Sequence, residues 1–274
     1  METPIGWQPA KEFVRLFVAR GGQLIWRLTG QTYVGQHGTA IVFAPHQDDE
    51  TLGCGALIAS KRNSGHPVHV AFITDGAGSH REHSRVTPAE IAAIRAQEAR
   101  QALAILGVDS TAIHFLNEPD GTLACLPAAR RDALVARLAA LITRLAPAEF
   151  FLPCSSEGST EHTAAFELVM AAAGRAGTPA YVWEYPVWLW WNTRALLRQL
   201  ARPGRVYRAP TGDFLSIKRH AIARYLSQSK PLPPQSQPAL PRSIIRLLDV
   251  ESEYFFRVRP ALQPLPAPVG YAID

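Results

Sequence analysis

From residue 40 onward, short apolar runs alternate with longer stretches of helical periodicity. The runs are AIVFAP (40–45), VHVAFITDG (68–76), AIHFL (112–116), EFFLPC (149–154) and AYVWEYP (180–186). Between them lie TLGCGALIASKRNSG (51–65), TPAEIAAIRAQEARQALAILGV (87–108), LPAARRDALVARLAALITRLAP (126–147) and EHTAAFELVMAAAGRAG (161–177). The runs are short and rich in β-branched and aromatic residues, which predicts strands; the intervening stretches have helix length and helix punctuation. Thr87 reads as an N-cap with Pro88 at the first helical position, and Gly65 and Gly107 as helix stops. Strands alternating with helices in this way build βαβ units, a mainly parallel sheet and a three-layer α/β sandwich.

The flanks read differently. Residues 1–35 form an N-terminal extension in which Phe13, Leu16, Phe17, Val18, Leu24, Ile25 and Leu28 outline an amphipathic helix, with a break expected at Gly21-Gly22. Such a helix could pack on the domain, meet a partner or lie on a membrane surface, and packing is the default. After residue 186 the rhythm loosens into aromatic VWLWWNT and a helix FLSIKRHAIARYLSQ (214–228). Residues 231–274 hold most of a Pro-rich segment and then YFFRVRP, which reads as a late edge strand on the same domain.

Composition narrows the classes. The chain has 274 residues, is 47% hydrophobic and 19% charged, enough apolar material for one sizeable core and too little charge for disorder throughout. The formal net charge is +5, but the arginines are scattered along helices, so no nucleic-acid arm is expected. Three cysteines, Cys54, Cys125 and Cys154, form no C-x-x-C and no disulfide framework, which fits a reducing cytoplasm. No signal peptide or membrane span is expected.

The chemistry concentrates where strands end. In AIVFAPHQDDETLGCG, His46, Asp48, Asp49 and Glu50 follow the first run, and open α/β sheets place their sites at carboxyl ends of strands. Glu50 suits the positive end of the following helix. Asp48 and Asp49 repel unless a cation or proton lies between them. His46 with one carboxylate would ligate a divalent metal, leaving the other carboxylate as general base; the same residues could equally be solvated caps and turn formers. His162, at the start of the helix after EFFLPC, reaches the same rim as a third ligand or as a capping histidine.

PHQDDETLGCG resembles the P-H-P-D-D-E signature of the PIG-L/LmbE-like zinc N-deacetylases. TDG (74–76), IRAQEARQALAILGV with its R-x-x-E and L-G-V, His162 at the end of the family's H-x-D-H, and KRHAIARYLSQ with its closing Ser-Gln match in order over roughly residues 40–230. The resemblance implies a Rossmann-like deacetylase domain over residues 36–230. It also implies zinc-dependent removal of an acetyl group from an N-acetylglucosamine-type sugar or glycoconjugate. It assigns His46, Asp49 and His162 to zinc, and Asp48 to the general base. Such sites accept other divalent metals. Two positions depart from the pattern: Gln47 stands where the family has proline, and Ser159 where it has the first histidine of H-x-D-H. Ser159 inherits that histidine's catalytic place but can only donate a hydrogen bond. The loop DGAGSHREH, with Asp75, His80, Arg81 and His83, is a further source of substrate contacts or an exposed polar loop.

Asp120 in NEPDG could bind a sugar hydroxyl, although a D-G turn is the plainer reading. Arg95 and Glu98, one helical turn apart, read most plainly as a surface pair, while the resemblance implies a supporting, non-catalytic role for them; Lys218 and His220 read as surface groups. Trp183, Trp188, Trp190 and Trp191 suit a core, a sugar, a lipid-linked substrate or a contact in a homo-oligomer. Ser159 also leaves room for a catalytically weak sugar- or metal-binding protein, and a third reading is a deacylase of another amine.

Overall fold

A computed structural model describes residues 9–80, 83, 85–202, 206–258 and 270–272. The strands are β1 (Gln31–Thr32), β2 (Val34–Gln36), β3 (Ala40–Ala44), β4 (Val68–Thr74), β5 (Ile113–Glu118), β6 (Glu149–Pro153), β7 (Tyr181–Tyr185), β8 (Val206–Pro210), β9 (Ser252–Val258) and β10 (Gly270–Ala272). The helices are α1 (Pro9–Thr29), α2 (Asp49–Asn63), α3 (Pro88–Ile105), α4 (Ala128–Leu145), α5 (Thr160–Ala176), α6 (Thr193–Leu200), α7 (Phe214–Ile222), α8 (Leu226–Ser229) and α9 (Arg242–Leu248). Each of the five apolar runs is a strand, and each intervening stretch a helix. Thr87 caps α3 in a complete capping box with Glu90.

Eight strands form one sheet in the order β1-β8-β9-β7-β6-β3-β4-β5. Every pair is parallel except those made by β9, which runs against β7 and β8. Side chains of β3 divide by parity: Ala40, Val42 and Ala44 join one buried cluster, Ile41 and Phe43 the other. A strand buried on both faces needs a layer on each side. One face carries α4 and α5 through Leu134, Leu138, Ile142, Ala165, Leu168 and Ala172. The other carries α2 and α3, with α7 and α9 beyond. The three-layer α/β sandwich expected from the alternation is the fold.

β9 is not an edge strand. Its Tyr254, Phe255 and Phe256 are buried and it sits between β7 and β8, because the five-residue β8, Val206–Pro210, extends the sheet beyond it. The helix read at 214–228 is two, α7 and α8, separated near Tyr225, whose hydroxyl reaches into the core to Glu50. α1 runs unbroken through Gly21-Gly22. At Gly22 a Cβ would lie 3.3 Å from Leu196, so glycine there admits α6 to close contact rather than ending the helix.

A buried polar cluster holds the amino end of β6. Glu149 accepts from Lys61 Nζ at 2.5 Å, Tyr33 Oη at 2.7 Å and Trp183 Nε1 at 3.0 Å, with Lys61 and Glu149 both 1% exposed. Removing one partner of a buried pair strands the other. Glu149→Ala is expected to lower stability by about 3–5 kcal/mol, read as a reduced denaturant midpoint.

Candidate active site

The strand order reverses between β3 and β6: the chain proceeds from β3 outward to β5 on one side, and from β6 outward to β7 on the other. Such switch points open a crevice at the carboxyl ends. His46 to Asp49 leave β3 there, and His162 enters from β6 through α5.

The turn after β3 is tightly tied. His46 N donates to Asp49 Oδ2 at 3.1 Å, Leu52 N to Asp48 O at 2.9 Å and Asp48 N to Glu50 Oε2 at 3.1 Å. Asp48 is held at φ 148°, in the region that disfavours any residue with a Cβ. Strain of this kind persists only where the surroundings impose it, and it gathers at functional sites. Close packing of α2 on β7 supports the turn from below: a Cβ on Gly53 would meet the Tyr185 ring at 2.3 Å, and Tyr185 donates to Phe43 O.

Asp49 Oδ2 lies between two imidazoles, 3.2 Å from His46 Nδ1 and 3.3 Å from His162 Nε2. Donor atoms of His46, Asp49 and His162 all fall within 4.8 Å of one another. His162 is fully buried, and its Nε2 makes no well-formed hydrogen bond. Two imidazoles and a carboxylate converging in this way form a donor set that fits one divalent cation. His46 also faces Asp120 through Nε2 at 3.1 Å, and His46, Asp120 and Glu161 make a second, overlapping donor cluster.

The electrostatics fit an anionic cluster. Burial pulls His46 toward its neutral form, but hydrogen bonds to Asp120 and Asp49 lift it to about 9. Burial likewise opposes charge on His162, and the nearby charges of Asp49 and Glu157 raise it to about 10. Burial disfavours the charge on Asp49, yet the His162 charge beside it holds its carboxyl well below the usual carboxylate range. Asp48 is the exception: burial carries it up to about 7 against the pull of Arg95. Glu50 is raised to about 7 by burial against hydrogen bonds from Thr51 and Tyr225. The imidazoles thus hold protons where a cation would displace them.

Asp120 joins this group rather than a plain turn: it lines the cleft, and its Oδ2 accepts Gly78 N at 2.8 Å. Asp75 stands behind, its Oδ1 accepting from Ala77 N and Asp120 N. His80 is buried with Nδ1 2.8 Å from Ser79 Oγ; Ser79, not His80, lines the cleft. Arg81 lies outside the described residues. The Ser159 hydroxyl caps α5 by accepting His162 N at 3.3 Å, and Ser159 is absent from the cleft wall.

Arg95 and Glu98 are not a surface pair. Both are buried, because α3 packs against the β3 turn and the α7–α8 region. Arg95 donates to Gly76 O, to Gln47 O at 2.8 Å and to Asp48 Oδ1 at 3.3 Å, while Glu98 accepts from Ser227 N and Oγ. Gln47, in the proline position, is buried and donates to Thr74 O. Lys218 is buried too, paired with Glu253 at 2.7 Å. Trp183 and Trp190 belong to the core, and Trp188 lines the cleft.

The sequence reading overlooked Glu157. It is 1% exposed, its Oε1 lies against His162 Nδ1, and its Oε2 accepts Val187 N at 2.8 Å and Leu189 N at 3.0 Å. One carboxylate thus fixes the His162 ring and the wall that carries Trp188. The available signal was an acid five residues before His162 at a strand end. The cleft itself has a volume of about 260 Å³ and is lined by His46, Asp48, Asp49, Asp120, Trp188 and Gln228 among others.

Residues 41–173 match the PIG-L family model, described as GlcNAc-PI de-N-acetylase. No curated protein matches the chain. Among solved structures, the conserved protein TT1542 from Thermus thermophilus is 25% identical at a TM-score of 0.58, covering 85% of this chain and 99% of that one. The N,N'-diacetylchitobiose deacetylase from Pyrococcus horikoshii is 19% identical at 0.57, covering 81% and 84%. GalB, the 4-carboxy-2-hydroxymuconate hydratase from Pseudomonas putida KT2440, is 18% identical at 0.61, covering 84% and 100%. One fold therefore carries more than one chemistry among these proteins.

Proposed function

The chain belongs to the PIG-L/LmbE-like family through residues 41–173, and on that premise we propose that it is a zinc-dependent hydrolase. Its substrate would be an N-acetylglucosamine-type sugar or glycoconjugate, from which it removes the N-acetyl group. The observation that carries this reading is the division of labour in the β3 turn. Asp49 faces His46 and His162, whereas its neighbour Asp48 faces Arg95 and the cleft.

His46, Asp49 and His162 would hold the metal, which supplies Lewis acidity toward water and an amide carbonyl. Asp48 takes a proton from the attacking water. Oxygen bonds to the acyl carbon, the carbon–nitrogen bond breaks, and Asp48 returns the proton to the departing amine, leaving acetate and a free amino sugar. Arg95 holds Asp48 in place and favours its charged form. Asp120 and Trp188 line the cleft; in this reading Asp120 would take a sugar hydroxyl and Trp188 would meet a ring face.

A second reading, a catalytically weak sugar-binding protein, draws on Ser159, whose hydroxyl caps α5. Chelator-treated protein reloaded with zinc and given N-acetylated sugars separates the two. Free amine appearing only with metal supports the hydrolase; sugar binding without amine release supports the second reading. Glu157→Gln should weaken metal binding about 10–100-fold, as loss of a carboxylate behind a ligating histidine does, measured by competition with a chelator.

A further inference from the structure

α1 is apolar on two sides. Its inner face buries Ala19, Gly22 and Trp26 against α6, α9 and the turn at 188–190. Its outer face leaves Phe13, Phe17, Leu24 and Leu28 in water, with Phe13 70%, Phe17 72% and Leu28 77% exposed. Steps of four, seven and four residues place these four on one stripe, and the Phe13 and Phe17 rings stack at 6.5 Å. Helix α6, packed on α1 where Gly22 meets Leu196, exposes Leu197 beside it. Large apolar side chains contiguous on a surface signal a contact.

Charge identifies the contact. The two helices carry Lys11, Arg15, Arg20, Arg27, Arg194 and Arg198 against a single acid, Glu12. Arg27 is matched by Glu251, and Arg15 lies over the Trp191 ring at 4.8 Å. In a two-fold dimer built on this face the patch would meet itself, arginine against arginine. An anionic bilayer instead offers hydrocarbon for the stripe and headgroup charge for its basic margin. We infer that the outer face of α1, with the exposed edge of α6, docks this protein on an anionic lipid surface.

The test is flotation of the full chain with vesicles of equal parts phosphatidylcholine and phosphatidylglycerol, and with phosphatidylcholine alone. The mixed vesicles should carry about tenfold more protein, less so as salt rises. Phe17→Glu combined with Leu28→Glu should abolish flotation with an unchanged melting temperature, because both side chains stand in water. Arg194→Gln combined with Arg198→Gln should reduce flotation about tenfold. Failure of the wild-type chain to float with the mixed vesicles overturns the inference, as does flotation of the glutamate variant at the wild-type level. So does a wild-type dimer that the glutamate variant splits while neither floats, which would make the stripe a subunit interface.

Discussion

Asp48→Asn is expected to lower kcat by about 10²–10⁴-fold, the usual share of a positioned general base, while the protein keeps its metal. The two halves of this result come from the same geometry. Asp48 Oδ1 is 3.3 Å from Arg95 Nη2, whereas the donor set of His46, Asp49 and His162 does not include Asp48. Asparagine is close to isosteric and keeps a carbonyl for Arg95, but it cannot accept a proton. The pH profile supplies a second readout. A base works ionised, so the rate should fall as pH drops through the Asp48 ionisation. Burial pushes that ionisation up to about 7 in the metal-free protein; a bound cation favours the carboxylate and moves the acidic limb lower. Residual activity in Asp48→Asn should lack that limb.

His162→Ala should lose metal by more than the about 10–100-fold expected of a supporting partner, seen as substoichiometric zinc by elemental analysis after dialysis. The same substitution should destabilise the metal-free chain. His162 is fully buried between Asp49 and Glu157, and removing it leaves two carboxylates facing across a cavity. An uncompensated buried charge is worth about 3–5 kcal/mol, so the melting temperature should drop even without zinc. Full zinc occupancy in His162→Ala would remove this residue from the metal site.

The parts of the fold legible in the sequence were those where local pattern and tertiary demand agree. β3, β4 and β6 read as apolar runs because they lie inside the sheet and are buried on both faces, and burial of that kind writes itself as a nearly uninterrupted apolar run; β5, at the edge and half-exposed, still showed as a shorter run between helices. The misreadings share a cause: they depend on what lies opposite. Gly21-Gly22 looked like a break, but Gly22 faces Leu196 and the helix continues. Lys218 and Arg95 carry charge suited to water; the structure supplies Glu253 to one, and Asp48 and two carbonyls to the other. β9 read as an edge because the short β8 that covers it gave no distinct apolar signal.

The site divided in the same way. His46, Asp48 and Asp49 are neighbours in the chain, so their convergence was readable as a local motif. His162 required the topology that brings β6 beside β3. Glu157 was overlooked because its position at a strand end was the whole of its signal, and its role is defined by contacts with His162 and with the backbone at Val187 and Leu189, a strand away. Ser159 stood out only as a departure from a pattern, and its hydroxyl caps α5.

The division of labour in the β3 turn is tested most directly by an anomalous difference map at the zinc edge from zinc-loaded crystals. The account predicts one peak about 2.0–2.2 Å from a nitrogen of His46, a nitrogen of His162 and an oxygen of Asp49, with Asp48 beside it and uncoordinated. A peak ligated by Asp48, or one seated on His46, Asp120 and Glu161 instead, would contradict it.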